Sequence, residues 1–538
     1  MASGAHGTIL VKDGNPVTDE TLQATCRSLG VQIKQEERDD YRKLLGNFHD
    51  IAEDVMAMEE YIPKVDLDRF PRNNVHVPKQ EDNAHNAWAS RCSIKDQHAQ
   101  PDARRLLEGK KFAIKDMIAI KDVPMSWGTN SFKDYIPDTD ATVVTRILEA
   151  GGEIIGKSTC ENLCHDGLSH SAYTGIVENP HAKGYNAGGS SSGNAALLAL
   201  NEVDMAIGAD QGGSVRIPAA NCGIVALKPT FGLIPYTACG SGEPTHDHLG
   251  PMTTSVLDNA RLLQVIAGPD GLDDRCTNTS PIPKYADNLT AEPTSSRNLH
   301  GWKIGIITES LTDPILNPRV RSKSLSAASK FTTLGATVSE ISIPMHSAGP
   351  SIWVGISRPG GYLNRFPGLF GRRSHSLLGL DNLLGPFSQE SWENMYVASH
   401  SLYLAGSYAL QRFPRLYAKA MNLQRNLRDA YNEALETYDV LLTPTLPYIA
   451  RSHPEKDASP LQSTEKQFGL TVNTCPFNAT GHPALALPIG MLEIEEGPLR
   501  GSGVKLPTSM QIVGPWWGEE KVYRAAYAWE MGNRWREM

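Results

Sequence analysis

The chain has 538 residues, of which 40% are hydrophobic and 21% charged, and its formal net charge is −9. This composition is typical of a globular protein, with room for one large α/β domain plus an appendage or for roughly two to four domains. The negative charge, without any run of Lys and Arg, argues against a nucleic-acid partner. Because no stretch approaches the roughly 18 apolar residues of a membrane span and the first residues lack a signal-peptide layout, we expect a cytoplasmic protein without membrane contact.

Two helices are predicted near the start of the chain. Apolar residues in the segment 36–61 recur at spacings of three and four, which predicts one face of a helix. A shorter helix is predicted before it, from about Asp19 to Leu29. We expect residues 1–62 to form an N-terminal α-helical appendage. The Pro- and Asn-rich sequence that follows predicts an extended segment, so residues 63–105 are interpreted as a linker.

From about Leu106 onward, short β-like runs alternate with helical runs, which predicts an α/β fold with a mixed sheet flanked by helices. Strands are predicted at 111–114, 153–155, 205–207, 302–307, 336–341, 440–442, 484–487 and 510–513, and helices at 142–149, 319–334, 416–436 and 519–534. This regularity lapses between about 346 and 403, where Gly, Ser and aromatic residues are frequent. We interpret that segment as an insertion beside the functional face of a main domain at 106–538.

The eight cysteines are scattered, which indicates reduced thiols rather than a disulfide framework. Cys160, Cys164 and His165 could form half of a metal site. No second half with zinc spacing follows, so we expect no metal.

The sequence GGSSSG at 188–193 opens a short Ala/Leu-rich run and admits several interpretations. It contains G-x-S-x-G centred on Ser191, the pattern of a hydrolase nucleophile elbow, but the preceding sequence is polar instead of strand-like. A Gly-rich turn that opens a helix can also bind phosphate, although no G-K-[ST] follows. A plain glycine turn between buried elements is the third interpretation.

A second cluster, DQGGS at 210–214, follows a predicted strand. Its two glycines allow the backbone N–H groups of Gln211, Gly212 and Gly213 to converge beside Ser214, which is the arrangement that an oxyanion hole requires. Asp210 and Arg216 flank this turn and are predicted to hold it by an ion pair.

A serine is a poor nucleophile without a base. His246 and His248 are two candidates. Lys115, at the end of an apolar strand, is another, because burial disfavours the ammonium form of a lysine. Lys115 could also be a lysine that extends from the strand end towards solvent.

Three segments of the chain, KKFAIKDM, GGSSSGNA and DQGGSVRIPAANCGIVALKPTFG, resemble the signature of the amidase signature family of serine hydrolases, and DVLLTPTLP, NTCPFNATGHPALALPIG and SMQIVG extend the likeness. The resemblance runs from about Leu106 to the end of the chain. It implies that Ser214 is the nucleophile, that Ser190 follows a cis peptide bond and relays protons, and that Lys115 is the base. Gly189 and Ser191 then have structural roles.

Within the family, the chain resembles microbial amidases with an extra N-terminal helical domain. The resemblance implies hydrolysis of small aliphatic and aromatic amides to an acid and ammonia or an amine, through an acyl-enzyme and without a cofactor. It also implies a possible homodimer with the appendage at the interface.

The substrate is less well defined by the sequence. No charged cluster marks the segment 346–403, so we expect an uncharged acyl group held by an apolar wall of Trp353, Tyr362, Phe366 and Phe370. Carbamates are an alternative substrate class for the same three residues. The remaining alternatives are a catalytically inactive binding protein and a glutamine amidotransferase subunit.

Overall fold

The computed structural model describes residues 10–98, 105–291, 298–365, 374–384 and 387–538. The chain divides into two compact units, Met1–Pro63 and Lys64–Met538. The smaller unit contains helices α1 (Asp19–Leu29) and α2 (Arg38–Met56), close to the predicted bounds. The sequence determines both ends of α1, since Thr18 forms a capping box at its start and Gly30 ends it in the left-handed conformation.

The apolar face predicted for the second helix is present in α2, but much of it faces solvent. Leu44, Phe48, Ile51 and Val55 are all exposed, at 47 to 65% of their surface. Four large apolar side chains at helical spacing on one exposed face form a patch that a partner could cover.

The larger unit is built on fourteen strands within the described residues. They are β1 (Asn73–His76), β2 (Trp88–Ile94), β3 (Lys111–Lys115), β4 (Glu153–Ser158), β5 (Glu178–Asn179), β6 (Ala182–Asn186), β7 (Met205–Asp210), β8 (Val225–Lys228), β9 (His248–Thr253), β10 (Lys303–Ile307), β11 (Thr337–Ile341), β12 (Val440–Pro444), β13 (Ala484–Glu493) and β14 (Lys505–Val513).

Helices surround these strands. They are α3 (Thr142–Glu149), α4 (Ser192–Ala199), α5 (Arg216–Cys222), α6 (Val256–Ile266), α7 (Tyr285–Thr290), α8 (Thr308–Thr312), α9 (Pro318–Thr333), α10 (Gly349–Arg365), α11 (Leu378–Leu384), α12 (Gln389–Glu393), α13 (Val397–Arg412), α14 (Leu416–Thr437), α15 (Pro460–Glu465), α16 (Cys475–Thr480) and α17 (Glu519–Gly532). Among the helices that the structure describes, none combines the length and apolar character that crossing a bilayer requires.

Twelve strands form one sheet in the order β1-β2-β4-β3-β7-β9-β8-β13-β14-β12-β10-β11, and β5 pairs with β6 separately. β3 runs parallel to β4 and β7, and β10 runs parallel to β11 and β12, whereas the other neighbours in the large sheet are antiparallel. The predicted mixed α/β architecture is therefore confirmed.

The segment 63–105 is more than a linker, because it adds β1 and β2 to the large sheet. The sequence of β2, WASRCSI, alternates buried and partly buried side chains, as a half-covered strand does. The Pro- and Asn-rich residues before β2 favour a linker by local preference, although the alternation in β2 is typical of a strand.

The predicted irregular segment 346–403 is largely helical, with α10 and α13 as its main elements. Its glycines allow close helix packing: a Cβ added at Gly355 of α10 would lie 2.9 Å from Ala420 Cβ of α14. The same glycines that indicate a loop by local preference serve here as helix contact points.

The parallel strands place the two Gly-Ser clusters near one another. β3 pairs with β7 through Phe112 and Met205, so the carboxyl ends of both strands, Lys115 and Asp210, lie at the same edge of the sheet. Ligand sites of open α/β sheets are found at such edges.

Candidate active site

Lys115 is the last residue of β3, and its side chain is completely buried. Its Nζ donates a hydrogen bond to Ser190 Oγ at 2.8 Å and a longer one to the carbonyl of Ala209 at 3.3 Å. The peptide bond between Gly189 and Ser190 is cis. The first Gly-Ser cluster and the end of β3 thus meet through two side chains.

One backbone hydrogen bond of the first cluster joins it to the loop at 164–167, and another joins it to the second cluster. The N–H of Gly189 donates to Gly167 O at 2.8 Å, and the N–H of Ser191 donates to Ser214 O at 3.2 Å. Since Ser191 follows Ser190 directly, this second bond brings the backbone of Ser214 to the residue next to the lysine-bonded serine.

Three side chains fix successive carbonyl groups of the second cluster. The donors and acceptors are Asn478 Nδ2 to Asp210 O (3.0 Å), Trp353 Nε1 to Gln211 O (2.7 Å) and Thr474 Oγ1 to Gly212 O (2.6 Å). Because the C=O and N–H of a trans peptide point in opposite directions, these bonds also fix where the following N–H groups point.

Asp210 and Arg216 form a fully buried bidentate ion pair, with both N–O distances at 2.9 Å. Although burial favours the neutral carboxyl, Arg216 lowers the pKa of Asp210 below its usual range. Asp210 Oδ1 also accepts the N–H of Gly213 at 2.8 Å. One of the three predicted oxyanion donors is therefore already occupied, and those of Gln211 and Gly212 are the other two.

The need for two glycines in DQGGS is steric. A Cβ at Gly212 would lie 2.7 Å from Trp353 Cζ2, and a Cβ at Gly213 would lie 2.5 Å from Thr474 Oγ1. Gly213 also has φ +136°, which other residues rarely adopt. The same side chains that hold the carbonyl groups therefore exclude any residue larger than glycine.

Ser214 lines a cavity of about 860 Å³, together with Gln211 and Gly212. Much of the remaining wall is apolar and includes Ile217, Trp353, Val354, Leu402, Phe468 and Leu470. The cavity is large enough for a small molecule, and its shape and polarity are typical of ligand pockets.

The structure describes two of the four residues predicted to form the apolar wall of the substrate site. Trp353 lines the cavity, whereas Tyr362 is not among the cavity-lining residues in the described part of the chain and packs against Gly406 instead. The two residues are nine positions apart on α10, which places them on opposite sides of a helix with 3.6 residues per turn. Phe366 and Phe370 lie outside the described residues.

The histidines proposed as alternative bases are both buried. Burial lowers the pKa of His246 to about 3 and that of His248 well below its usual range. His246 lines the cavity, while His248 Nδ1 hydrogen-bonds the carbonyl of His246 at 2.7 Å. Among the described residues, neither histidine hydrogen-bonds a serine of the two Gly-Ser clusters, whereas Lys115 hydrogen-bonds Ser190.

Among the described residues, no group of three or more His, Cys, Asp and Glu side chains is arranged to hold a metal ion. His165 Nδ1 hydrogen-bonds Ser399 Oγ at 2.9 Å. Burial alone would raise the pKa of Cys164, but hydrogen bonds from Cys160 and Ser190 and the nearby Lys115 lower it. The Cys164 side chain is therefore part of the surroundings of the lysine-serine pair.

Several cavity residues could not be predicted from the sequence, because they come from segments that are far apart in the chain. They include the 164–167 and 467–472 loops and, on α10, Ser357 and Arg358. Thr474 and Asn478, whose side chains hold carbonyl groups of the second cluster, lie within NTCPFNATGHPALALPIG. That segment indicated the family resemblance but gave no role for either residue. Arg358 gave no signal, since an isolated arginine in a helix is usually solvent-exposed.

Comparison with known proteins assigns the chain to a family. The amidase family model matches residues 79–523. The chain belongs to the amidase signature family. The chain is 36% identical over 450 residues to an enantioselective amidase of Rhodococcus rhodochrous, covering 82% of each protein.

Other relatives have a different named role. The chain is 32% identical over 437 residues to a glutamyl-tRNA(Gln) amidotransferase subunit of Cyanothece sp., covering 80% of this chain and 86% of that protein. A crystal structure of the corresponding amidotransferase subunit from Thermotoga maritima superimposes with a TM-score of 0.64 at 26% identity, covering 83% of this chain and 87% of that one. The chain is therefore similar both to an amidase and to amidotransferase subunits, at 36% and 32% identity.

Proposed function

We propose that the protein hydrolyses the C–N bond of small amides by means of Lys115, Ser190 and Ser214, releasing a carboxylic acid and an amine or ammonia. The observation that carries this proposal is the 2.8 Å contact between Lys115 Nζ and Ser190 Oγ. The buried Lys115 amine and the Ser190 hydroxyl thus lie next to Ser191, whose backbone N–H donates to the carbonyl of Ser214.

In the proposed reaction, Lys115 accepts the Ser190 proton while Ser190 accepts the proton of Ser214. The Ser214 oxygen attacks the amide carbon at the same time and forms a tetrahedral intermediate. The relay then runs in reverse: Ser190 protonates the leaving nitrogen and is reprotonated by Lys115. The C–N bond breaks, the amine leaves, and an acyl-enzyme remains, which water hydrolyses through the same relay.

The negative charge of the intermediate is assigned to the N–H groups of Gln211 and Gly212. Asn478 and Trp353 hold the carbonyl groups of the two peptides that carry these donors. Donors fixed in advance stabilise a developing oxyanion without the energetic cost of reorientation. The Gly213 N–H, bonded to Asp210, maintains the turn instead.

The apolar walls around Ser214 favour amides with an aromatic or medium-length aliphatic body. Carbamates present the same carbonyl geometry and belong in the same substrate panel. Glutamine is the second candidate substrate, because relatives 32% identical to this chain are amidotransferase subunits. For the amidotransferase role, ammonia release from glutamine would exceed hydrolysis of simple amides.

The exposed face of α2 supports a homodimer as part of the proposal. Burying Leu44, Phe48, Ile51 and Val55 in a second copy would remove a large apolar patch from water. Analytical ultracentrifugation of wild type and Phe48→Glu should show a dimer that the substitution dissociates. A monomeric wild type, or a dimer unaffected by the substitution, would contradict this assignment.

A substrate panel tests the function. Purified wild type and Ser214→Ala should be assayed with anilides, primary amides, carbamates and glutamine by following amine or ammonia release. We expect turnover of anilides and primary amides by wild type and none by the variant. Turnover confined to glutamine would favour the amidotransferase role. Equal turnover by both proteins would overturn the Ser214 assignment, and an inactive, folded wild type would favour a binding protein.

A further inference from the structure

Arg358 of α10 is the only Lys or Arg that lines the cavity among the described residues. It is partly buried, and burial lowers the pKa of its guanidinium. A cation at this position needs an anionic or polar partner to offset the loss of hydration.

Within the described residues, the Arg358 guanidinium makes no hydrogen bond and no ion pair. It contacts the indole of Trp353, with Cζ 5.5 Å from the ring centroid. Two fully or largely buried arginines in contrast form ion pairs, Arg216 with Asp210 and Arg275 with Asp247. Arg358 therefore has donors to offer to a molecule in the cavity.

The carboxyl groups of the cavity do not use these donors. Glu243 accepts hydrogen bonds from Thr245 and Tyr417. Asp166 accepts the N–H of Leu168, and Asp313 that of Ile315.

Burial also raises the pKa values of two of these carboxyl groups, those of Glu243 and Asp166, to about 7. A substantial fraction of each is therefore uncharged near neutral pH. These two groups offer less repulsion to an anion than carboxylates with ordinary pKa values would.

Two neighbouring polar side chains also have unused hydrogen-bonding atoms. Ser357 Oγ and both ring nitrogens of His246 are buried without a hydrogen-bond partner within the described residues, and both side chains line the cavity. His246 stacks on Trp353 with the ring centroids 6.2 Å apart. It is neutral, so its ring offers one N–H donor.

We propose that Arg358, assisted by Ser357 and His246, binds a carboxylate carried by the amide substrate and makes the enzyme prefer such amides to neutral ones. A guanidinium pairs with a carboxylate through two parallel hydrogen bonds, which are stronger than bonds between neutral groups. With one Lys or Arg lining a largely apolar cavity among the described residues, one negative charge on an apolar body fits better than a phosphate dianion. This inference rests on the proposed amide hydrolysis.

The position of Arg358 also links the carboxylate to the reacting end of the cavity. Trp353, which the guanidinium contacts, donates its indole N–H to Gln211 O. The bound anion would therefore lie at the wall that holds the oxyanion turn, with the apolar body of the substrate along the remaining cavity.

The test compares monoanilides of dicarboxylic acids of four to eight carbons with alkanoic anilides of the same length. Wild type should hydrolyse the best monoanilide with kcat/KM about tenfold or more above its neutral counterpart. Arg358→Gln should bring the ratio of the two kcat/KM values close to one, mainly by raising the KM of the monoanilide. Arg358→Lys keeps the charge and should retain part of the preference. Arg412→Gln, which removes an exposed arginine of α13, is the matched control and should change neither rate.

Equal losses on charged and neutral anilides in Arg358→Gln would overturn the inference, because they would show that Arg358 only positions Trp353. A wild-type preference for neutral anilides would overturn it as well. If wild type hydrolyses none of these anilides, the substrate panel decides the proposed function, and binding decides the inference separately. Calorimetric titration with adipate should then give binding to wild type that Arg358→Gln weakens about tenfold or more, and equal or absent binding would contradict it.

Discussion

Lys115 and Ser190 lie 75 residues apart in the chain, yet Lys115 Nζ and Ser190 Oγ are 2.8 Å apart. The contact forms because β3 ends at Lys115 beside β7, and the loop before α4 returns to the same edge of the sheet. Ser190 and Ser191 then have different roles, since Ser190 contributes its hydroxyl and Ser191 its backbone N–H.

This difference gives a matched pair of variants. Ser190→Ala should lower kcat by about 10²- to 10⁴-fold, the range for loss of a positioned proton-transfer group. Ser191→Ala should stay much closer to wild type, because its N–H still donates to Ser214 O and its hydroxyl makes only a 3.5 Å contact with Ala209 O. Steady-state kinetics with an anilide measures both. Equal effects of the two substitutions would exclude a special role for the Ser190 hydroxyl.

Two buried lysines on neighbouring strands should separate activity from stability. Lys115 hydrogen-bonds Ser190, whereas Lys157 of β4 pairs with Asp116 at 3.1 Å. Lys115→Met should abolish most activity, and its residual rate should rise with pH as hydroxide replaces the base.

Lys157→Met should mainly reduce stability, by about 3–5 kcal/mol, because it leaves the Asp116 carboxylate buried and unpaired. Urea unfolding and kinetics of both variants measure the contrast. A fully active Lys115→Met would return attention to His246 as the base.

The Arg216–Asp210 ion pair should be essential for stability. Removing the cation in Arg216→Met leaves a buried carboxylate and should cost about 3–5 kcal/mol in the free energy of unfolding. The exposed pair Arg319–Glu495 provides the control, with side chains 39 and 45% exposed. Arg319→Met should cost about 1 kcal/mol or less. Similar losses in the two variants, measured by chemical denaturation, would contradict a structural role for the buried pair.

Cys164 should react with small electrophiles at unusually low pH. Its lowered pKa means that the reactive thiolate already forms well below the usual thiol range, and its side chain lines the cavity. Iodoacetamide should therefore modify Cys164 increasingly as pH rises through the range below 8, with parallel loss of activity.

Cys160 provides an internal control, since burial raises the pKa of its thiol. Peptide mass spectrometry should find Cys164 labelled and Cys160 unlabelled, and Cys164→Ala should resist inactivation. Labelling that begins only near pH 9, or that falls equally on both thiols, would contradict this description of the site.

Much of the fold could be predicted from local sequence. The bounds of α1 and α3 match the prediction because caps, breakers and apolar spacing all lie within the elements themselves. β1 and β2 could not be predicted in this way, since β1 pairs with β2 and β2 pairs with β4, which lies far along the chain. The helical character of 346–403 was missed because its glycines act through contacts with other helices, which local preference does not contain.

The candidate site, like the fold, could be predicted from local sequence only in part. Lys115 and the two Gly-Ser clusters are visible in sequence because each is a compact motif. Arg358 could not be predicted, since its significance comes from the cavity that it lines and from the lack of a hydrogen-bond or ion-pair partner among the described residues, and both require the tertiary structure. The expectation of an uncharged acyl group rests on the absence of a charged cluster in the segment 346–403, and it stays a prediction that the anilide comparison tests against the proposed carboxylate.

Intact-mass analysis after incubation with a fluorophosphonate tests the assignment of Ser214 as the nucleophile most directly. We expect wild type to gain one phosphonyl group, Ser214→Ala to gain none, and Ser191→Ala to be labelled like wild type. Labelling of a folded Ser214→Ala, or no labelling of wild type that hydrolyses amides, would show that another residue is the nucleophile.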